Sequence, residues 1–238
     1  MEEAKSYDHR LQLFFAPPLE TAIQSIDFVE IRPIGQVVKD GPIEFNIPGN
    51  TYHYVDLKHS KLSLKLKLTQ ENNLPIATGN KVGLVNNILH SIFSQCELSF
   101  QQQDTTKGIS SNYPYKAYLD VITSSNTKLR EDCLSSQLFF KDSPGFMDDV
   151  DSVAGANIGL YLRSKYTSEG KVVDLEGPLY ADLCQQDRLI INGVQIGLRL
   201  RPHRDEFSLV TIDDLKYKFE ITEAVFKVCF VKIHPSFI

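Results

Sequence analysis

Lys61-Leu62-Ser63-Leu64-Lys65-Leu66-Lys67-Leu68 alternates a polar residue with leucine without a fault. Successive side chains of a β-strand point to opposite faces, so the four leucines line one face and Lys61, Ser63, Lys65 and Lys67 the other. On a helix the same leucines would be scattered around the whole circumference. The period recurs at Ile43-Phe45-Ile47, Cys96-Leu98-Phe100 and Val194-Ile196-Leu198-Leu200. The chain is therefore a sheet protein that buries one face of each strand.

Upstream of that stretch, Phe28 to Arg32 reads as a first strand ended by Pro33 and Gly35. The turn Lys39-Asp40-Gly41-Pro42 leads into a second strand, Ile43 to Ile47, closed by Pro48-Gly49-Asn50. Tyr54 to Thr69 is one long strand, with a bend expected near Lys58-His59. Downstream, Val85, Ile88, Leu89, Ile92 and Phe93 recur at helical offsets and predict a short amphipathic helix running into a strand at Gln95 to Gln101. Pro114 suits a first helical position, with Ala117, Tyr118, Val121 and Ile122 on one face. Asn126-Thr127 is placed to cap a second helix carrying Leu129, Cys133, Leu134 and Leu138. Residues 142–156 form an acidic, glycine-containing loop.

The remainder is again β: Val172 to Leu183 (interrupted by Gly177-Pro178), Arg188 to Arg201 through Asn192-Gly193, Phe207 to Ile212, and Tyr217 to Ile233. Val225, Phe226, Val228, Cys229, Phe230, Val231 and Ile233 leave the last of these almost no polar face, which predicts a central strand covered on both sides. Strands without strand–helix–strand alternation predict a mainly β fold: an antiparallel eight-stranded jelly-roll sandwich with helices inserted in long loops. Residues 1–27 read as an N-terminal arm and 28–238 as a single domain, with the helical insertion at about 110–140.

At 238 residues and 27.0 kDa, the chain buries a real core without staples. A net charge of −5 argues against coating nucleic acid, which needs a concentrated basic surface. The local cluster Arg199, Arg201, His203, Arg204 is followed at once by Asp205 and Glu206 and reads as a solvated loop. Cys96, Cys133, Cys184 and Cys229 have no metal spacing and are expected to be reduced, buried thiols, as suits a nucleocytoplasmic protein. There is no apolar signal core at Met1-Glu2-Glu3-Ala4-Lys5 and no apolar run long enough to span a membrane.

Little in the chain nominates chemistry. Asp148, Asp149 and Asp151 lack the glycine and glutamate of a calcium-binding loop and read as free carboxylates. His53 and His59 share a strand face but sit roughly 20 Å apart at a rise of about 3.3 Å per residue, too far to hold one ion. His90 reads as a satisfied, partly buried imidazole. No nucleophile elbow, phosphate loop, zinc-protease helix or dinucleotide fingerprint occurs. We expect no catalytic residue, no metal site and no cofactor, and hence a structural or binding protein.

Six strings carry a resemblance: Asp40-Gly41-Pro42-Ile43-Glu44-Phe45 to Pro48-Gly49, Tyr54-Val55-Asp56-Leu57, Leu89 to Gln95, Asn112 to Tyr118, Lys141 to Asp148, and Leu189 to Val194. In the same order, from about residue 27 to 235, they resemble the major capsid (hexon-like) proteins of Polinton/Maverick elements and adintovirus-like viruses. The resemblance implies a double jelly roll, in which paired sandwiches stand side by side and three subunits form a pseudo-hexagonal capsomer. The sequence departs from the family in length and looks like the N-terminal sandwich alone. The implied partners are other copies in a homotrimer, neighbouring capsomers, the second jelly roll, and penton or other minor capsid proteins. The implied location is the virion capsid, assembled in the host nucleus or cytoplasm.

Candidate subunit contacts are Leu11, Leu13, Phe14 and Phe15 of the arm, the cluster Tyr113, Tyr115 and Tyr118, and Phe139-Phe140. Aromatic residues bury much area at low entropic cost. For each, packing between helix and sandwich is the alternative. The alternative function is a carbohydrate- or receptor-binding jelly roll, which the lack of tryptophan disfavours.

Overall fold

The computed structural model describes residues 22–39, 41–77, 81–105, 112–124, 134–151, 155–212 and 216–234. The leucines of Leu62 to Leu68 are all 1% exposed or less and lie at the centre of the core. They belong to β3 (Tyr54–Gln70), inside a sheet ordered β1 (Ile23–Ile31), β10 (Tyr217–Ile233), β3, β7 (Val172–Pro178). The facing sheet is ordered β2 (Ile43–Ile47), β8 (Ile196–Pro202), β5 (Phe93–Phe100), β6 (Gln103–Asp104). Every pairing is antiparallel. A short pair, β4 (Val82–Leu84) with β9 (Leu209–Thr211), lies outside the two main sheets.

The chain passes from one sheet to the other at almost every connection, and its first and last strands pair. That wrapping makes the sandwich a jelly roll. Ile43, Phe45, Ile47, Leu98, Ile196, Leu198 and Leu200 from the second sheet complete the core, and Phe45 meets Phe226 across the gap at 6.0 Å between rings. Each such side chain contributes about 1.5–3 kcal/mol on burial, so the alternating pattern is also the main source of stability.

The long strand is bent where the sequence placed the bend. Lys227 pairs with Lys61, but Cys229 pairs with Asp56, so β3 carries a large bulge opposite one residue of β10. Ser60, fully buried, closes it: its hydroxyl donates to Asp56 O at 2.6 Å and accepts from the Cys229 N–H at 3.0 Å. The prediction for the last strand also agrees, since β10 lies between β1 and β3 and its residues Ala224 to Phe226 and Val228 to Val231 are buried.

Other elements differ. The first strand begins at Ile23 and not Phe28; exposure of both its faces erases the alternation that marks a half-buried strand. The helix read at Val85–Phe93 shrinks to α1 (Ile88–Ser91), all four residues of which are buried, so it is a core turn between strands and not amphipathic. α2 (Tyr113–Ser124) matches its expectation. The helix expected after Asn126 survives among the described residues as a single 3₁₀ turn, Leu134–Gln137, and residues 125–133 lie outside them.

α3 (Ile158–Thr167) was not anticipated; Asn157 caps it by accepting from Leu160 N–H at 3.3 Å. The strand from Val172 stops at Pro178, which lacks the N–H to continue a ladder, and a 3₁₀ turn follows at Asp182–Gln185. Asn192-Gly193 does form a turn, with Gly193 at φ +77°, but its upstream limb is only Ile190, bridged to Val55 of the other sheet. The strand expected at Phe207–Ile212 starts as α4 (Asp205–Ser208) before becoming β9.

Candidate functional site

The aromatic candidates separate by depth. Tyr113 and Phe139 are buried, at 7% and 4% exposure, and are core residues of this chain with no area to offer a neighbour. Phe140 is half-buried and stacks on Tyr166 of α3 at 6.0 Å. Tyr115 and Tyr118 stay exposed on α2, at 58% and 39%. Leu119, 56% exposed and one turn beyond Tyr115, joins them in an apolar face that the sequence reading missed. Its only sequence signal is the i, i+4 spacing. Tyr115 rests edge-on against Phe207 and Tyr118 lies tilted, at 42°, against Phe139, so both rings are braced from below. Leu11, Leu13, Phe14 and Phe15 lie outside the described residues.

Beneath α2 lies a buried polar cluster. His90 of α1 is fully buried; its Nδ1 lies 3.0 Å from the Tyr113 hydroxyl and its Nε2 3.1 Å from Gln137 Oε1. Gln137 Oε1 accepts, so Nε2 carries the proton and Nδ1 accepts from the tyrosine hydroxyl. Burial lowers the His90 pKa to about 3, which keeps the ring neutral. The same burial raises that of Tyr113 well above the usual phenol range. Gly177 of β7 makes the arrangement possible, because a Cβ there would meet Gln137 Nε2 at 2.6 Å. The cluster is satisfied and closed to solvent, so it fastens α1 and α2 to the sandwich and is not an acid–base centre.

A second buried clamp holds α3. Arg163, 2% exposed, donates from Nε to Leu84 O at 2.9 Å, from one terminal nitrogen to Phe140 O at 2.9 Å, and from the other to Asp142 Oδ1 at 2.7 Å. The acidic loop is likewise used internally, not free as expected. Asp149 accepts from the N–H groups of Asp151 at 3.0 Å and Ala156 at 2.7 Å, which ties the loop across itself.

The outer faces of the sheets carry paired charges. On the first sheet Glu176 accepts from Lys227 at 2.5 Å and Lys61 at 3.2 Å, and these bonds pull its carboxyl below the usual range. Lys65 pairs with Glu223 at 2.6 Å. On the second, Arg199 and Arg201 are strand residues of β8 and not part of a loop. Arg199 bonds Glu44 at 2.7 Å and lies 3.7 Å from Glu97, while Arg201 is 3.3 Å from Glu97. Two of the four residues of the basic cluster, Arg199 and Arg201, are thus paired with carboxylates across the sheet.

Burial pushes the Cys184 thiol up to about 12 and Cys229 up to about 11, and also raises Cys96, so none is a ready nucleophile. Among the described residues no three His, Cys, Asp or Glu side chains are grouped to hold a metal ion, and no helix is long and apolar enough to cross a membrane.

What the geometry defines is a jelly-roll scaffold that presents helices from its long loops. The same fold is found in a chain of the Sputnik virophage solved by cryo-EM, with a TM-score of 0.57 at 11% identity, covering 99% of this chain and 53% of that one. The mavirus major capsid protein aligns with a TM-score of 0.43 at 13% identity, over 98% of this chain and 51% of its own. In sequence, the uncharacterised protein F54H12.2 of Caenorhabditis elegans is 24% identical over 216 residues, 87% of this chain and 49% of its own length. No protein-family model matches the sequence. The chain thus spans about half the length of each of these relatives.

Proposed function

We propose that this chain is one jelly roll of a hexon-like major capsid subunit, of the Polinton/Maverick and adintovirus-like kind, and that it has a structural and not an enzymatic role. It assembles into trimeric, pseudo-hexagonal capsomers of an icosahedral shell. Its partners are other copies, neighbouring capsomers, a second jelly roll, and penton or minor capsid proteins. Its place is the virion capsid, built in the host nucleus or cytoplasm. The observation that carries this reading is the wrapping of the strands, shared over 99% of this chain with a virophage chain of about twice its span. The ordered strings that resemble the capsid family support it independently.

The physical logic is that of a rigid tile. A sandwich stabilised by its own core holds loop helices in fixed positions, and symmetric self-association follows from apolar faces such as Tyr115, Tyr118 and Leu119. The test is light scattering on the purified chain at micromolar concentration, and on the chain extended past Ile238 in its reading frame. Trimers or larger bodies are expected. A well-folded, strictly monomeric protein in both forms would refute the assembly role.

A further inference from the structure

The turn at Asn192-Gly193 is where separate parts of the sandwich meet. Just before it, Ile190 and Val55 exchange backbone hydrogen bonds at 2.8 and 3.1 Å, which ties this segment to β3. At the turn itself the Gly193 N–H donates to Asn50 O at 2.8 Å, and the Asn192 amide donates from Nδ2 to Thr51 O at 2.6 Å. Just after it, the Gln101 N–H donates to Gln195 O at 3.0 Å, which brings in the end of β5. The approach to the loop that follows β2 is close: a Cβ on Gly49 would meet Gly193 O at 2.5 Å. Gly193 stands at φ +77°, where a side chain is strained, so glycine is needed on both sides of the contact.

The same turn carries a chemical liability. The sequence holds one Asn-Gly pair, and it is this one. Glycine has no side chain to shield its backbone nitrogen, which can therefore attack the amide carbon of the asparagine before it. A bond forms from Gly193 N to Asn192 Cγ, the Cγ–Nδ2 bond breaks, and ammonia leaves with the proton of the attacking nitrogen. Water then opens the cyclic imide at either carbonyl, leaving aspartate or isoaspartate at 192. In the folded chain the attacking nitrogen and the leaving amide each hold a hydrogen bond to residues 50 and 51, and both bonds must open first. We propose that Asn192 is a deamidation site, held in check by the docked loop at Gly49 to Thr51, and that its conversion undoes the docking. The product carboxylate has no N–H to give Thr51 O and sets a negative charge against that carbonyl. Isoaspartate also adds a carbon to the backbone inside the turn. Loss of ammonia makes the change irreversible, so this end of the sandwich loosens with age. The capsid role plays no part in it.

Peptide mapping by mass spectrometry tests this on the full chain, kept folded or in urea in a warm, mildly alkaline buffer. Asn192 is expected to convert on the order of tenfold or more faster in urea, because only the opened turn reacts. Gly49→Ala forces the two loops apart and should move the folded rate toward the unfolded one. Equal rates folded and unfolded, no conversion in urea, or an unchanged folded rate in Gly49→Ala would each overturn the proposal. The second arm is Asn192→Asp, which has the chemistry of one product, followed by amide hydrogen exchange. The Gly193 and Ile190 amides should exchange on the order of tenfold faster than in the parent chain, with those of Leu62 to Leu68 unchanged. Full protection of Gly193 in that variant would show that the side-chain amide does not hold the turn, and refutes the second half of the proposal.

Discussion

His90 Nε2 and Gln137 Oε1 lie 3.1 Å apart, although 47 residues separate them along the chain. The bond joins a one-turn helix to a 3₁₀ turn, and the imidazole is wholly cut off from water. An enclosed neutral ring with no carboxylate partner makes the fold sensitive to acid.

The sign follows from the pKa of about 3 in the folded chain against an ordinary 6.5. Above pH 6.5 the ring is neutral folded or unfolded and its titration has no effect on stability. Below that value only the unfolded chain takes up the proton, so stability is lost as pH falls toward 3, at about 1.4 kcal/mol per pH unit. Urea midpoints followed through the acid range should show that slope, and His90→Asn should flatten it while lowering stability at neutral pH. Equal slopes in the two proteins would exclude His90 as the titrating group.

Arg163 supplies donors in three directions to acceptors that no other side chain serves so compactly. Arg163→Met strands Asp142 and takes a donor from the Leu84 carbonyl, while Phe140 O keeps its bond from Asn86 Nδ2 at 2.8 Å, and should cost about 3–5 kcal/mol in urea unfolding. Arg163→Lys keeps the charge but not the planar fork, and is expected to recover less than half of that loss. Wild-type stability in the lysine variant would show that charge alone is needed.

The bulge in β3 depends on one hydroxyl. Ser60→Ala removes the acceptor for the buried Cys229 N–H and the donor to Asp56 O, with an expected cost of about 1–3 kcal/mol. Ser63→Ala, on the outer face of the same strand, should stay within about 0.5 kcal/mol of wild type. Faster exchange of the Cys229 amide in the first variant alone would locate the damage.

Assembly and folding should separate on α2. Leu119→Glu and Tyr115→Ser change exposed positions, so thermal unfolding should shift by less than about 0.5 kcal/mol in stability. Light scattering should nevertheless show the association weakened at least tenfold, because Leu119→Glu places a charge in the proposed contact and Tyr115→Ser removes apolar area from it. Tyr113→Phe should do the reverse, lowering stability through the His90 bond and sparing assembly. Undiminished assembly by the Leu119→Glu protein would move the contact away from this helix.

Legibility along the chain followed the way each segment is buried. β2, β3 and β10 were readable because a strand with one wet face, or none, writes its environment into consecutive residues. β1 was read short because neither of its faces is covered within the described residues. The Val85–Phe93 pattern was a sound reading of burial and a poor one of conformation: apolar residues at those offsets suit a core turn between strands as well as a helix. α3 escaped because Leu160, Arg163 and Thr167 on its inner side include only one aliphatic residue. Its interior contact is polar, made by an arginine that would ordinarily be assigned to the surface.

The contact candidates show the same division. Tyr113 and Tyr115 are two residues apart with one side chain, yet one bonds His90 and the other faces solvent. By themselves, the residues determined that leucine and lysine alternate and that the chain must therefore stack sheets to hide one face, since periodicity is local and the hydrophobic effect acts on it directly. Only the tertiary structure decided which aromatics remain outside, which arginine goes in, and what holds the turn at Asn192-Gly193. Those outcomes depend on groups tens of residues away arriving at one place, and no short-range pattern encodes that arrival.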